Sequence, residues 1–264
     1  MSSEQETLST LNQYLAILEK LQRICRDLHR ALIGHPQNDP IKTIFLCFLT
    51  KSNHSLDAII LLYKHSLFHE AQSLIRIIFE LFVTFLAFER MLQRDPREAC
   101  MRVWDSVMLE KIKQQKASEF KGLDLIPGAP TPQDLLAQER EIANRYSESE
   151  LKKIKKHGFS GLNVEQRARQ AGLSDYYNIV YRNFSRNVHS TDFMELALLH
   201  NPNMIETMSF SNYTDFRDFI GCEITFISAA GVAATINNIF QLNFDRRLMK
   251  LYKLREKLQQ SRKS

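Results

Sequence analysis

Apolar residues recur at helical spacing along almost the whole chain, and no stretch alternates cleanly between apolar and polar residues. Glycine is scarce, with 8 residues, and the 7 prolines cluster in a few breaks. A period near 3.6 residues places apolar side chains on one face of an α-helix, whereas a half-buried strand needs a period of two. The pattern therefore predicts an all-α fold, a single-domain helical bundle of about 8–10 helices.

Breaks in this pattern suggest how the helices are arranged. Core helices are expected within residues 4–120 and 173–262, with a more irregular helical insert at about 121–172. The segment 122–132 holds three of the seven prolines and is the segment most clearly predicted to be a loop. Asn163, followed three residues later by Gln166, predicts a capping box that opens a short helix. A long helix near 213–241 carries ISAAGVAATI, whose small residues allow close helix packing.

The composition is that of a soluble globular protein, with 44% apolar and 25% charged residues. The net charge of +5 is compatible with an anionic partner but does not require one. Part of the excess lies in a lysine run at 152–157, a pattern typical of a solvated helix face. None of the four cysteines lies in a zinc-binding pair, and the polar N-terminus is unlike a signal peptide. A cytoplasmic location is therefore expected.

The longest apolar run is Leu74 to Phe88, and it is interrupted by two charged residues, Arg76 and Glu80. A membrane-spanning helix needs about 20 mostly apolar residues. The run is shorter and more charged than that, so we expect a buried helix and no membrane contact.

The most informative segment for function is Tyr177 to His189, YNIVYRNFSRNVH. Read as a helix, it has an apolar stripe and a polar stripe, with Tyr181 on the border between them. The apolar stripe contains Tyr177, Val180, Phe184 and Val188, and the polar stripe contains Arg182, Ser185, Arg186 and His189. Arg182 and His189 are seven positions apart, so they project nearly the same way. An ordinary solvated helix face has the same pattern, and that interpretation stays open.

An arginine and a histidine on one stripe are a minimal set for cleaving RNA. His189 would act as base or acid on a ribose 2′-hydroxyl or a leaving oxygen. Arg182 would hold the scissile phosphate and offset the charge that develops in the transition state. Arg186, Ser185, Asn183, Tyr181 and Arg76 are expected to contact the substrate. Such a reaction needs neither a metal ion nor another cofactor.

Arg76 and Glu80 are four residues apart in the most apolar helix, where an unpaired charge is costly. One interpretation is an internal ion pair that steers helix packing. The other places the pair beside His189, where Glu80 would orient the imidazole as a third catalytic residue. The sequence favours neither. Glycine-rich phosphate loops, a GxSxG elbow and a dinucleotide fingerprint are absent from the chain, which disfavours the corresponding enzyme classes.

Three motifs carry a resemblance to a widespread, mainly bacterial family of unknown function, over roughly residues 44–192. They are Ser73-Leu74-Ile75-Arg76-Ile77-Ile78-Phe79-Glu80, then Gly158-Phe159-Ser160-Gly161 with Ala168 and Gly172, then Tyr181-x-x-x-Ser185-x-x-x-His189. The family usually has an aromatic residue, often tryptophan, before the Ser-Gly pair, and Phe159 is a conservative departure from that pattern.

The Arg182-Asn183-x-x-x-x-x-His189 motif also resembles that of HEPN ribonucleases, which are small helical bundles that commonly dimerise. This resemblance implies metal-independent RNA cleavage, a homodimer, and a role in antiviral defence or as a toxin, with a possible protein partner in such a system. The chain is larger than a minimal HEPN unit and has additional helices.

Two other functions stay open. The chain is alternatively a non-catalytic helical interaction or sensor module, in which Arg76, Glu80 and His189 form a structural polar network. The third possibility is a metal site built from Glu80, His189 and a histidine such as His54 on the second helix. Burial of His189 would favour the module, and an open basic groove would favour the nuclease.

Overall fold

The computed structural model describes residues 3–36, 39–117, 131–188 and 216–261. Within these ranges the chain forms ten α-helices and no strand, which confirms the predicted all-α class and number of helices. In chain order they are α1 (Ser3–Gly34), α2 (Pro40–Lys64), α3 (Phe68–Arg94), α4 (Pro96–Ala117), α5 (Pro132–Ala143), α6 (Glu148–His157), α7 (Val164–Gln170), α8 (Ser174–Val188), α9 (Phe216–Phe240) and α10 (Asp245–Ser261).

Helix boundaries follow the breaks in the sequence. The side chain of Asp39 accepts a hydrogen bond from the Lys42 backbone N–H at 2.9 Å, and Pro40 occupies the first turn of α2. Asp95 does the same for the Glu98 N–H of α4 at 3.0 Å. The three short helices α5, α6 and α7 each begin with a capping box. The pairs are Thr131–Asp134, Ser147–Glu150 and Asn163–Gln166, the last of which was predicted.

The chain divides into two compact units, one of Met1–Phe85 with Gly172–Ser264 and one of Leu86–Ala171. The first contains α1, α2, most of α3, α8, α9 and α10, and the second contains the end of α3 with α4 to α7. The predicted insert at 121–172 falls almost entirely within the second unit, which also includes α4. Whether the chain folds as one domain stays a prediction.

The first unit is built around α1, which contacts α2, α9 and α10. One face of α1 carries apolar residues at helical spacing and is buried throughout. It consists of Leu11, Leu15, Leu18, Leu21, Ile24 and Leu28. Phe45 of α2 packs edge-on against Phe85 and Phe240, with ring centroids 5.6 and 5.5 Å away. Burial of these side chains is the main stabilising contribution to this unit.

Small residues let α9 pack closely against its neighbours, as its sequence predicts. Ala229, Ala230 and Ala233 are fully buried. A Cβ atom added at Gly231 would lie 2.5 Å from the ring of Phe82 on α3. A Cβ at Gly221 would lie 2.5 Å from the hydroxyl of Tyr63 on α2. Both glycines are therefore required by close approach and not by backbone conformation.

The second unit has its own small core. Leu109 of α4, Ile142 of α5 and Ile154 of α6 are buried together, and Met108, Tyr146 and Leu151 pack against them. Each of the three helices thus contributes one central apolar side chain to a shared cluster.

The four cysteines are free thiols. Cys25, Cys100 and Cys222 are buried, and Cys47 on α2 is exposed. Burial raises the pKa of the Cys25 thiol to about 12. The three buried cysteines therefore act as small apolar residues, whereas Cys47 is exposed to solvent.

Three of the described helices are long and apolar enough to cross a membrane, judged by length and composition alone. They are Pro40–Lys64, Glu70–Arg94 and Phe219–Phe240, and 56%, 56% and 67% of their apolar windows are buried inside the protein. The apolar run Leu74–Phe88 lies within the second of these helices, which extends beyond it at both ends. The cytoplasmic location and the absence of membrane contact stay predictions.

Candidate functional site

Helix α8 carries the predicted Arg/His segment. Its apolar stripe points into the protein as predicted, since Val180 and Phe184 are fully buried. Tyr177 and Tyr181 are half-buried. The burial of two residues four positions apart fixes the rotation of α8 about its axis and so defines which positions lie on its other faces.

The polar stripe is described only in part. The backbone of Arg182, Asn183, Ser185 and Arg186 belongs to α8, but their side chains lie outside the described part of the structure. His189 follows the last residue of α8 and also lies outside the described residues. The proposed pocket shared by Arg182 and His189 therefore stays a prediction.

The structure brings together the other three predicted site residues, Arg76, Glu80 and Tyr181. The hydroxyl of Tyr181 on α8 donates a hydrogen bond to Oε2 of Glu80 on α3 at 3.0 Å. The two residues are 101 positions apart in the sequence. A hydrogen bond from a hydroxyl to a carboxylate is stronger than one between two neutral groups. This contact ties the border of the polar stripe to the charged pair of α3.

Arg76 joins the same cluster through the tyrosine ring. Its guanidinium carbon lies 4.4 Å from the centroid of the Tyr181 ring, within the range of a cation–π contact. The ring of Tyr177, one turn earlier on α8, stacks on Tyr181 with centroids 4.6 Å apart and an interplanar angle of 26°. Tyr181 thus bridges the two charged residues of α3, a role that the sequence did not predict. We call Arg76, Glu80 and Tyr181 the α3–α8 cluster.

The surroundings of Tyr181 keep its hydroxyl protonated. Burial raises its pKa to about 12, and the negative charge of Glu80 adds to this effect, while Arg76 opposes it. At neutral pH Tyr181 is therefore a donor and not a base. A carboxylate has two oxygens that accept several hydrogen bonds, so the bond from Tyr181 leaves Glu80 chemically able to orient an imidazole as well.

His29 on α1 contacts α2. His29 Nε2 lies 2.9 Å from Thr50 Oγ1, and burial together with the charge of His54 lowers the pKa of His29. Asp57 accepts hydrogen bonds from Gln22 at 2.6 Å and from Arg26 at 2.7 Å, which tie α1 to α2. In the described ranges no three histidine, cysteine or acidic side chains come together as metal ligands. The alternative metal site requires His189, so it too stays a prediction.

Glycine geometry explains the second of the three motifs. Gly158 and Gly161 have φ values of +80° and +65°, which favour glycine, and they flank the buried Phe159. Phe159 packs edge-on against Phe88 at 6.1 Å. Ala168 is fully buried. The described contacts of Phe159 and Ala168 therefore give this motif a structural role in the second unit.

The second unit contains a polar cluster that the sequence did not predict. Asp105 is 5% exposed and accepts hydrogen bonds from Arg145 at 2.7 Å and from the Tyr146 hydroxyl at 2.8 Å. The guanidinium carbon of Arg102 lies 5.4 Å from the centroid of the Tyr146 ring. Residues 40 and 41 positions apart meet here, and helical periodicity gives no signal for such a pairing. We call these residues the α4–α5 cluster.

Comparison with known protein families gives one match. The model of a family of unknown function, DUF5677, matches residues 42–203, which is more than half of the chain. The matched range includes the α3–α8 cluster and the Arg182–His189 segment, and it confirms the resemblance predicted over 44–192. No curated protein and no solved structure is significantly similar to the chain.

Proposed function

The chain belongs to the DUF5677 family, and since that family has no assigned function, we propose from the residues themselves that it is a metal-independent ribonuclease of HEPN type. His189 is the proton-transfer residue and Arg182 binds the scissile phosphate. Arg186, Ser185 and Asn183 on the same helix contact the substrate. The resemblance of the Arg182–His189 motif to HEPN ribonucleases is the source of this assignment.

The observation that best supports the proposal is the hydrogen bond from Tyr181 to Glu80. It anchors the residue that immediately precedes Arg182 to a second helix, and the stacked guanidinium of Arg76 fixes the ring itself. Catalysis by a positioned arginine and histidine requires that their helix keeps a fixed orientation, because small misplacements cost large factors in rate. We therefore assign Arg76, Glu80 and Tyr181 as residues that position α8.

The reaction needs no group beyond these side chains and the RNA. The imidazole of His189 removes the proton of a ribose 2′-hydroxyl, and the 2′-oxygen attacks the adjacent phosphorus. The bond from phosphorus to the 5′-oxygen breaks, and the leaving oxygen takes up the proton that His189 removed, which restores the neutral imidazole. Arg182 offsets the negative charge that develops on the non-bridging oxygens. The products are a 2′,3′-cyclic phosphate end and a 5′-hydroxyl end.

Dimerisation fits this chemistry, since two copies of the stripe double the local positive charge that faces a polyanion. We propose a cytoplasmic homodimer that acts on RNA as a defence or toxin effector, with a protein partner from the same defence system. Light scattering of the purified protein gives the mass and tests the dimer directly.

A second candidate function is a non-catalytic interaction or sensor module. It is favoured by the contacts of the α3–α8 cluster, which join two helices as a structural network would. In that case Arg76, Glu80 and Tyr181 hold the helices in register and His189 completes a structural network.

The test is cleavage of end-labelled RNA pools by wild type and by His189→Ala, each with and without a chelator. We expect cleavage by wild type that survives the chelator, and a loss of about 10²- to 10⁴-fold in His189→Ala. RNA with a 2′-deoxy sugar at the scissile position should resist cleavage. His65→Ala is the matched control, since His65 is exposed at the end of α2.

Circular dichroism shows whether His189→Ala keeps the helical fold. Equal cleavage by His189→Ala and wild type would reject the nuclease. A wild type that cleaves nothing in a wide pool, with a folded His189→Ala, would favour the sensor module.

A further inference from the structure

A cavity of about 610 Å³ lies in the second unit, where α4, α5 and α6 meet. This volume is within the range of about 300–1,000 Å³ typical of small-molecule sites. Leu109 and Ile112 of α4 and Ile154 of α6 form its apolar floor, and all three are buried. Arg76, Glu80 and Tyr181 of the α3–α8 cluster are not among the described residues that line this cavity.

Four lysines surround this floor. Lys113 and Lys116 come from the last turns of α4, and Lys155 and Lys156 from the last turn of α6. Glu110 and Glu139 are the acidic residues among the lining side chains, so the lining carries an excess of two positive charges. From the sequence alone, the lysine run of α6 was predicted to be a solvated helix face. In the structure, Lys155 and Lys156 of that run line the same cavity as Lys113 and Lys116, about 40 positions earlier in the sequence.

Two of these lysines have a structural task. Lys116 and Lys155 both donate to the carboxylate of Glu139, Lys155 at 2.9 Å, and so connect α4, α6 and α5. These hydrogen bonds lower the pKa of Glu139, which keeps it ionised at neutral pH. Lys113 lies 3.4 Å from Glu110 in an exposed pair, which contributes little. Lys156 also lines the cavity, and it makes no ion pair with any residue in the described ranges.

We propose that this cavity, named here the lysine-rimmed cavity, binds a small organic anion with an aliphatic body. The ammonium groups recognise a carboxylate or phosphate head as point charges. The aliphatic floor covers the body of the ligand and removes it from water. No aromatic ring is among the lining residues that the structure describes, so a nucleobase would find no stacking surface there. An aliphatic chain fits this lining better.

The test uses octanoate as the probe, with octan-1-ol as a neutral analogue and inorganic phosphate as a head group without a body. Titration is followed by NMR of the isoleucine methyl groups in the full-length protein. We expect octanoate to shift the methyl signals of Ile112 and Ile154 most strongly. Octanol and phosphate should each bind more weakly than octanoate, because octanol lacks the anionic head group and phosphate lacks the aliphatic body.

Lys156→Glu should weaken octanoate binding by about tenfold, since it replaces an attractive charge with a repulsive one. Lys152→Glu is the matched control. It changes the net charge equally on the same helix, but Lys152 is exposed and does not line the cavity. Equal effects of the two variants would overturn the proposal, as would equal binding of octanoate and octanol or an absence of shifts at Ile112 and Ile154. Because no RNA is present, these results do not depend on the proposed ribonuclease activity.

Discussion

The two units of the molecule each contain a tyrosine that donates to a carboxylate, with a guanidinium over the tyrosine ring. In the α3–α8 cluster the pair is Tyr181 and Glu80 at 3.0 Å. In the α4–α5 cluster it is Tyr146 and Asp105 at 2.8 Å. The clusters differ in the burial of the carboxylate, because Asp105 is buried whereas Glu80 is half-buried. Arg145 also forms a direct ion pair with Asp105.

This comparison shows whether such a cluster indicates a structural or a functional role. The α4–α5 cluster holds helices together in a unit that lacks the Arg182–His189 motif, so tyrosine, carboxylate and arginine are by themselves a packing device. A functional role for the α3–α8 cluster must therefore come from the helix that it holds. The comparison separates stability, which both clusters supply, from activity, which only one is expected to affect.

The largest expected effect is on the stability of the second unit. Asp105→Ala removes the shared acceptor of Arg145 and Tyr146 and should lower the free energy of unfolding by about 2–4 kcal/mol. The chain has a single tryptophan, Trp104, which lies on α4 beside this cluster and gives a local fluorescence signal. Urea unfolding followed by this signal measures the change. Asp105→Asn keeps an oxygen acceptor, so it should lose less stability than Asp105→Ala. If Asp105→Ala loses less stability than Asp105→Asn, the carboxylate does not have the proposed role.

The sharpest contrast comes from removing one hydroxyl in each unit. Tyr146→Phe and Tyr181→Phe should each cost about 1–3 kcal/mol of stability, because a charged acceptor loses a partner. RNA cleavage measured at a temperature where both variants are folded should fall only in Tyr181→Phe. Urea unfolding and the labelled-RNA assay give the two readouts. If cleavage falls equally in both variants, or in neither, the α3–α8 cluster has no special role in activity.

A smaller difference is expected in how the stability of the two units responds to low pH. The lowered pKa of His29 means that its neutral form is favoured in the fold, so its stabilising contribution is complete above pH 6.5 and decreases as the pH falls below that value. Glu139 in the second unit has a lowered pKa relative to 4.5, so its contribution is lost only at more acidic pH. Mild acid should therefore weaken the first unit before the second.

Urea unfolding by circular dichroism at about pH 7.5 and about pH 5.5 tests this order. His29→Gln keeps a polar group near Thr50 but does not titrate, so the pH dependence should shrink in this variant. An unchanged pH dependence would show that other groups are responsible. Trp104 fluorescence over the same range should change less, since it reports on the second unit.

Helix positions were predictable from sequence because they depend on local rules. Helices begin or end at Gly34, Pro40 and Pro96, residue types that mark helix boundaries, and the Asn163 capping box forms as predicted. Two further capping boxes, at Thr131 and Ser147, carry the same signal in the sequence and were missed. Residues within four positions of one another determine these features, so a single sequence is sufficient to find them.

The site was predictable only in its parts. The sequence singled out Arg76, Glu80 and Tyr181, but it did not show that Tyr181 bridges the other two. Contacts between residues about 100 positions apart depend on how helices pack, and periodicity along one helix gives no information about its partner. The lysine-rimmed cavity was missed for the same reason, since its lysines come from α4 and α6 and only their convergence creates it.

The exposed thiol of Cys47 has a practical consequence for measuring assembly. Two copies of the chain that meet in an oxidising buffer can become covalently joined through this surface sulfur, and the product would have the mass of a natural pair. Cys47→Ser in the presence of a reductant removes that route and leaves the three enclosed thiols untouched. The same position offers a single point for attaching a reporter dye, since maleimide reagents reach accessible sulfur first.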